Sequence, residues 1–113
     1  MVPFIFKNSW VPKIFSWFMT VEAITFFPCI FVRGEGNEIL LRHEMIHLKQ
    51  QSELFVVGFY FLYAFDFLIA FCRYRKFNDA YKSIRFEREA YGNQADEHYL
   101  NYRPAYAWRK YTL

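Results

Sequence analysis

The run His43-Glu44-Met45-Ile46-His47 places two imidazoles four positions apart, with a carboxylate beside the first of them. On a helix, side chains four apart lie about 40° from eclipsed, so both rings can point at one ion while Glu44 stands next to it. Imidazole nitrogens held in this way suit Zn²⁺, and a zinc site that performs chemistry takes three protein ligands and keeps a fourth position open to water. The spacing therefore predicts a metal centre with His43 and His47 as two ligands and Glu44 as the catalytic base. These are two of only three histidines in the chain.

The third ligand must come from elsewhere, and Phe86-Glu87-Arg88-Glu89-Ala90-Tyr91 offers Glu87 and Glu89. Tyr81, Ile84, Tyr91, Ala95 and His98 predict one apolar side on a helix running from Asn78 to about Tyr102, with Pro104 helping to end it. Glu87 falls on that side, three residues after Ile84 and four before Tyr91. Glu89 is about 200° around and is expected to face away, so that Glu89→Gln should leave a metal undisturbed. Glu87 is the expected ligand. An oxyanion donor is needed as well, and Tyr91, His98, Tyr99 and Arg103 are candidates that spacing alone does not rank.

The elements that must position these groups are legible in part. Asn37 is a plausible N-cap and Glu38 suits the positive end of a helix, which is expected to run from Glu38 through at least Glu53 with Leu41, Met45, Leu48 and Phe55 as its core-facing stripe. Upstream, Ile24 to Val32 is β-branched and aromatic and carries Pro28, which cannot donate to a ladder, so it reads as an edge strand. Residues 1–20, with Pro3 and Pro12, read as an irregular or short helical arm, and 103–113 as an aromatic tail that docks on the body through Trp108. The expectation is a single, mainly α domain over 1–113, a minimal zincin-like unit with one H-E-x-x-H helix, a second Glu-bearing helix and a short N-terminal edge strand.

These residues resemble the gluzincin metallopeptidases, in which a second helix supplies the third ligand as the first Glu of a Glu-x-x-Ala-Asp pattern; here the matching residues are Glu87-Arg88-Glu89-Ala90-Tyr91. The likeness spans about residues 37 to 95 and is nearest to small H-E-x-x-H proteins with a Phe-Glu-Arg-Glu-Ala-Tyr element and to the prenyl-protease-like membrane branch. Tyr91 stands where the family has an Asp that supports a histidine ligand. The resemblance implies a zinc-dependent peptidase acting on a peptide or protein substrate that pairs with an edge strand, for which Ile24 to Val32 would serve. The alternative is a chain that keeps the same frame as a structural or interaction protein without turnover.

Composition narrows the setting. With 113 residues, 55% hydrophobic and 24% aromatic, the chain is neither a disordered tail nor a solvated linker, and it carries more aromatic surface than so short a chain usually hides. A membrane surface or an apolar protein partner is expected, and the protein is expected to be membrane-associated or intracellular, without a cleaved signal peptide. The charge is mild and divided, 9 Lys/Arg against 5 Asp/Glu from Arg73 onward and 5 against 6 before it, which argues against a nucleic-acid partner. Cys29 and Cys72 stand apart and read as two buried reduced thiols.

Leu54 to Cys72 holds one charge, Asp66, and Arg73, Arg75 and Lys76 follow, as in a membrane span with its cytoplasmic flank. A single crossing would leave the histidines and Glu87 on opposite sides, where they could not share an ion. A straight helix from His47 to Cys72 would also carry the chain roughly 38 Å away. Either the segment is not a simple span or Glu87 is not a ligand; for Glu87 to return, the path must bend or reverse, with Gly58 and Asp66 the expected places, and Asp66 needs an arginine or backbone donor if it is buried.

Overall fold

The computed structural model describes residues 4–14 and 23–112, with only the backbone of Lys13 and Ile14. Within them the chain is mainly helical with a small three-stranded sheet. Strand β1 (Phe4–Phe6) and helix α1 (Val11–Ile14) occupy the stretch read as an irregular arm, and the rest of that arm lies outside the described residues. The expected single strand is a hairpin, β2 (Ala23–Phe26) and β3 (Cys29–Val32), because Phe27 and Pro28 form its turn; Pro28 marks a turn, not an edge. The sheet order is β1-β3-β2, with β1 parallel and β2 antiparallel to β3. Period-two alternation sends Ile30 and Val32 inward, where they pack on Leu48, Leu40, Leu41 and Met45.

Those leucines belong to α2 (Glu38–Glu53), whose first turn is capped by Asn37 Oδ1 accepting from Leu40 N at 2.8 Å. The stripe stops short of Phe55, which is 89% exposed, because the helix ends at Glu53 and the chain turns at once. Phe55 and Val56 hold φ of 56° and 64°, sparsely populated for residues with a Cβ, and Val56 N donates to Gln51 O at 2.7 Å. This is where the path reverses. Gly58 and Asp66, the expected places, lie inside the next helix, α3 (Val57–Tyr74).

Asp66 has another task. It is fully buried and accepts from Arg85 Nε and Nη2, both at 2.8 Å, and from Arg85 N at 3.2 Å. A carboxylate in that position needs such partners, and here they lie at the start of a helix whose positive end it also faces. The expected single helix over Asn78–Tyr102 is consequently three: α4 (Phe77–Ser83), α5 (Arg85–Asn93) and α6 (Tyr99–Tyr102). The break falls at Ile84, extended at ψ 134° and buried with Phe59, Phe86 and Trp108. Asp66 thus anchors the N-terminus of α5 two residues before Glu87. Of the predicted apolar side, Ile84 is buried, whereas Ala95 and His98 are exposed beyond the end of α5.

A 3-10 turn, Ala107–Lys110, closes the chain, and its Trp108 ring meets Phe86 edge-on at 5.0 Å. Both cysteines are free, but neither is fully buried: Cys29 is half-buried and Cys72 exposed.

Candidate metal centre

Helix α2 presents His43 and His47 on one side, and α5, anchored through Arg85, brings Glu87 against them. His43 Nε2 and His47 Nε2 lie 3.1 Å apart, and Glu87 Oε1 lies 3.2 Å from the first and 3.1 Å from the second. A tetrahedral ion with bonds of about 2.0–2.1 Å holds its donor atoms about 3.3–3.4 Å apart, so this triangle is close to the size such an ion needs. All three side chains are buried.

The outer partners decide which atoms face inward. Gln50 Nε2 donates to Phe86 O at 3.1 Å and to Glu89 Oε1 at 2.9 Å, which leaves Gln50 Oε1 to accept from His47 Nδ1 at 2.8 Å. Gln94 Oε1 accepts from His43 Nδ1 at 2.8 Å. With both Nδ1 atoms donating, each ring in its neutral form presents its Nε2 lone pair, and together with the Glu87 oxygen the two converge as three acceptors on one point. A divalent cation satisfies that arrangement. Tyr63 OH donates to the other Glu87 oxygen, Oε2, at 2.6 Å and so turns Oε1 toward the histidines. The donor set fits zinc.

Gln94, not Tyr91, is the hydrogen-bond partner of His43 Nδ1. Where the family resemblance implies an Asp supporting a histidine, the Tyr91 ring sits edge-on to His43 at 4.5 Å and the hydrogen bond comes from Gln94, seven residues after Glu87 and thus two turns along the same side. Gln50, three residues after His47, is the corresponding partner on α2. Both spacings are visible in the sequence, but nothing there says which polar neighbour on a helix turns inward. Gln94→Leu is expected to weaken zinc binding about 10- to 100-fold, measured by competition with a chromogenic chelator.

Glu44 is buried beside the triad, its Oε2 accepting from Thr25 Oγ1 at 2.9 Å. Thr25 comes from β2, nineteen residues upstream, and was not singled out by any motif. Burial is the main cause that raises the Glu44 pKa, helped by the Glu87 charge and opposed by the two histidines and the Thr25 hydrogen bond. A base kept partly away from water and held by one hydroxyl is suited to taking a proton.

Glu89 faces away from the triad, as expected, but it is not on a solvated side. It is fully buried and accepts from Gln50, from Tyr99 OH at 2.7 Å and from Arg103 Nε at 2.6 Å. Burial opposes its ionisation, yet the hydrogen bonds from Arg103, Gln50 and Tyr99 hold its carboxyl below the ordinary value. Through Gln50, Glu89 stands behind His47. Of the four oxyanion candidates, Tyr99 and Arg103 are thereby committed elsewhere, and His98 is exposed. Tyr91 alone borders the cleft that opens over the triad.

That cleft is about 580 Å³ and is lined by Ile24, Leu40, Phe59, Tyr60, Tyr63, Tyr81 and Tyr91 around His43, His47, Glu44 and Glu87. The β2 edge beside it is largely occupied. Thr25 O accepts from Gln51 Nε2 and Tyr60 OH, both at 2.8 Å, and Phe27 N donates to Gln51 Oε1 at 2.7 Å, so these groups are not free to pair with a peptide strand.

The triad also makes the metal-free protein sensitive to pH. Burial lowers the His47 pKa, but the Glu87 charge and hydrogen bond, followed by the Glu44 charge and Gln50, outweigh it and raise the value from 6.5 to about 9. A raised folded-state value means the contact stabilises fully below pH 6.5 and is lost as pH rises through about 9. Calorimetry of chelator-stripped protein is expected to show Tm falling across that window. Zinc should abolish the fall, because the metal displaces the proton.

Comparison of the chain with protein-family models, with curated proteins and with solved structures finds no match. Among the described residues, His43, His47 and Glu87 are the one group of three ligating side chains close enough to share an ion.

Proposed function

We propose that the chain is a zinc-dependent peptidase of the gluzincin kind, hydrolysing peptide bonds with Glu44 as general base. The observation that carries this reading is the convergence of three acceptor atoms, each turned inward by an outer hydrogen bond, with a buried carboxylate beside them. Zinc held by His43, His47 and Glu87 would lower the pKa of its water to about 7 and polarise the scissile carbonyl. Glu44, fixed by Thr25, would take the proton of that water and return it to the leaving amine. Tyr91 borders the same cleft and is the candidate donor to the developing oxyanion. The lining supports a substrate with apolar or aromatic side chains, since among the described residues that line it Glu44 and Glu87 bring the only carboxylates and there is no lysine or arginine to hold a terminal carboxylate.

Elemental analysis of protein purified without chelator is expected to give one zinc per chain, and Glu87→Gln is expected to lose it, because a neutral amide replaces the anionic ligand. No metal on purification and none taken up on adding zinc would falsify the reading.

A further inference from the structure

The sheet has one face too many that is apolar. Register places Phe4, Cys29 and Phe26 in one row and Phe6, Phe31 and Ile24 in the next, and neighbours in a row share a face. The opposite face carries Ile30 and Val32 into the core, so this one points outward. A sheet packed on one side normally offers polar residues on the other. Here Phe4 is 62% and Phe26 58% exposed, and Trp10 beyond β1 is 67% exposed.

Helix α3 repeats the pattern. Val57, Phe61, Phe65 and Leu68 follow one another along its outer side, with Phe61 74% exposed. Its one acid, Asp66, is turned inward to Arg85, so the outer side bears no charge until Arg73. The two surfaces join where the Phe26 ring stacks on Tyr60 at 5.9 Å, at the rim of the cleft. Exposed apolar surface this continuous marks an interaction site.

The charges at its margin say what covers it. Arg73, Arg75 and Lys76 are exposed where α3 ends, with Asp79 the one acid close to them along the chain, whereas at the end of β1 the exposed Lys7 stands next to Asn8, which holds the exposed Glu35. In a two-fold contact a second copy would present the same margin, in which the three cations at the end of α3 outnumber Asp79, so the cluster would lack a matching acidic group. Amphipathic rings at the margin, Trp10 and Tyr74, suit a lipid interface. Helix α3 is long and apolar enough to cross a membrane, but its flanks are tied together, since His47 and Glu87 meet at 3.1 Å and Arg85 returns to Asp66 halfway along it.

We propose that the outer face of the sheet and the outer side of α3 together dock the protein on the surface of an anionic lipid bilayer, without crossing it, and so bring the cleft rim to the interface. This surface needs no metal and is independent of the peptidase reading.

The test is flotation with vesicles of phosphatidylcholine alone and of phosphatidylcholine with one-third phosphatidylglycerol. Wild-type protein is expected to float with the anionic vesicles and more weakly with the neutral ones, and stripping the metal should not change this. Arg73→Gln, Arg75→Gln and Lys76→Gln should each reduce partition to anionic vesicles about fivefold. Phe61→Ser on α3 and Phe4→Ser on the sheet should each reduce it about tenfold or more. Both side chains are exposed, so an unchanged circular dichroism spectrum and thermal melt show that the variants are folded. Wild-type protein that stays unbound with both vesicle types overturns the proposal. So does a dimer in analytical ultracentrifugation that Phe61→Ser dissociates, which would identify a second copy as the occupant.

Discussion

Glu44→Gln is expected to retain one zinc per chain while hydrolysis of a peptide substrate falls about 10²- to 10⁴-fold in kcat. The two halves of that result come from different features. The metal is expected to stay because Glu44 is not one of the three converging atoms; its oxygen is directed to Thr25 Oγ1. Gln is nearly isosteric and its carbonyl can still accept that hydroxyl proton, so the helix and its neighbours have no cause to move. Catalysis is expected to go because an amide cannot take up the proton that the carboxylate accepts. An unchanged KM with a collapsed kcat is the signature of a group acting in the transition state. The measurement is zinc content and kcat on one preparation. Activity that survives with the metal in place would remove Glu44 from the mechanism, and loss of both together would make it a structural residue.

Arg103→Met is expected to cost about 3–5 kcal/mol of stability, lowering Tm by about 10 °C or more. Arg103 donates to Glu89 through Nε and Nη2 and to Glu53 through Nη1 and Nη2, and its side chain is 4% exposed. It joins the C-terminal end of α2 to α5, the two helices that carry the triad. Removing the cation leaves two carboxylates without it, one of them entirely buried. Adding Glu89→Gln to the Met variant should recover part of the loss, since the buried charge then goes as well. Glu89→Gln alone should cost less stability, because Arg103 keeps Glu53, yet it should weaken zinc about tenfold, since two amide donors then face each other and Gln50 loses its orientation toward His47. Thermal melts and zinc titrations of the three variants check these outcomes; an unaltered melt for Arg103→Met would show that the cluster is not stabilising.

The pairing of the two histidines and Glu44 was legible because it depends only on helix phase, and the helix announces itself through Asn37, Glu38 and the Leu41, Met45 and Leu48 positions. Glu87 and Tyr91 share one cleft for the same reason, both lying on α5, even though the long helix expected around them is broken at Ile84. Ala95 and His98 did not follow, because a phase count fails once the axis turns.

Glu89 shows a second limit. Helical periodicity distinguishes a core side from a solvent side, but α5 is covered on both, by α2 on one and by the segment around Arg103 on the other, so a charge there could be inside provided it was paired.

The local chemistry was therefore written in the sequence: the spacing of His43, Glu44 and His47, the N-cap at Asn37, and the need of Asp66 for a cation. Tertiary structure alone decided that the chain reverses at Phe55 and Val56, that Asp66 receives Arg85 and so anchors α5, that Thr25 reaches Glu44, and that Arg103 closes the cluster behind His47. Each of these joins residues far apart along the chain, and local propensity carries no information about such partners. They are selected by which chain path lets every buried charge find its counterpart while the apolar side chains of α2, α3 and α5 are packed, a condition that only the whole fold can satisfy.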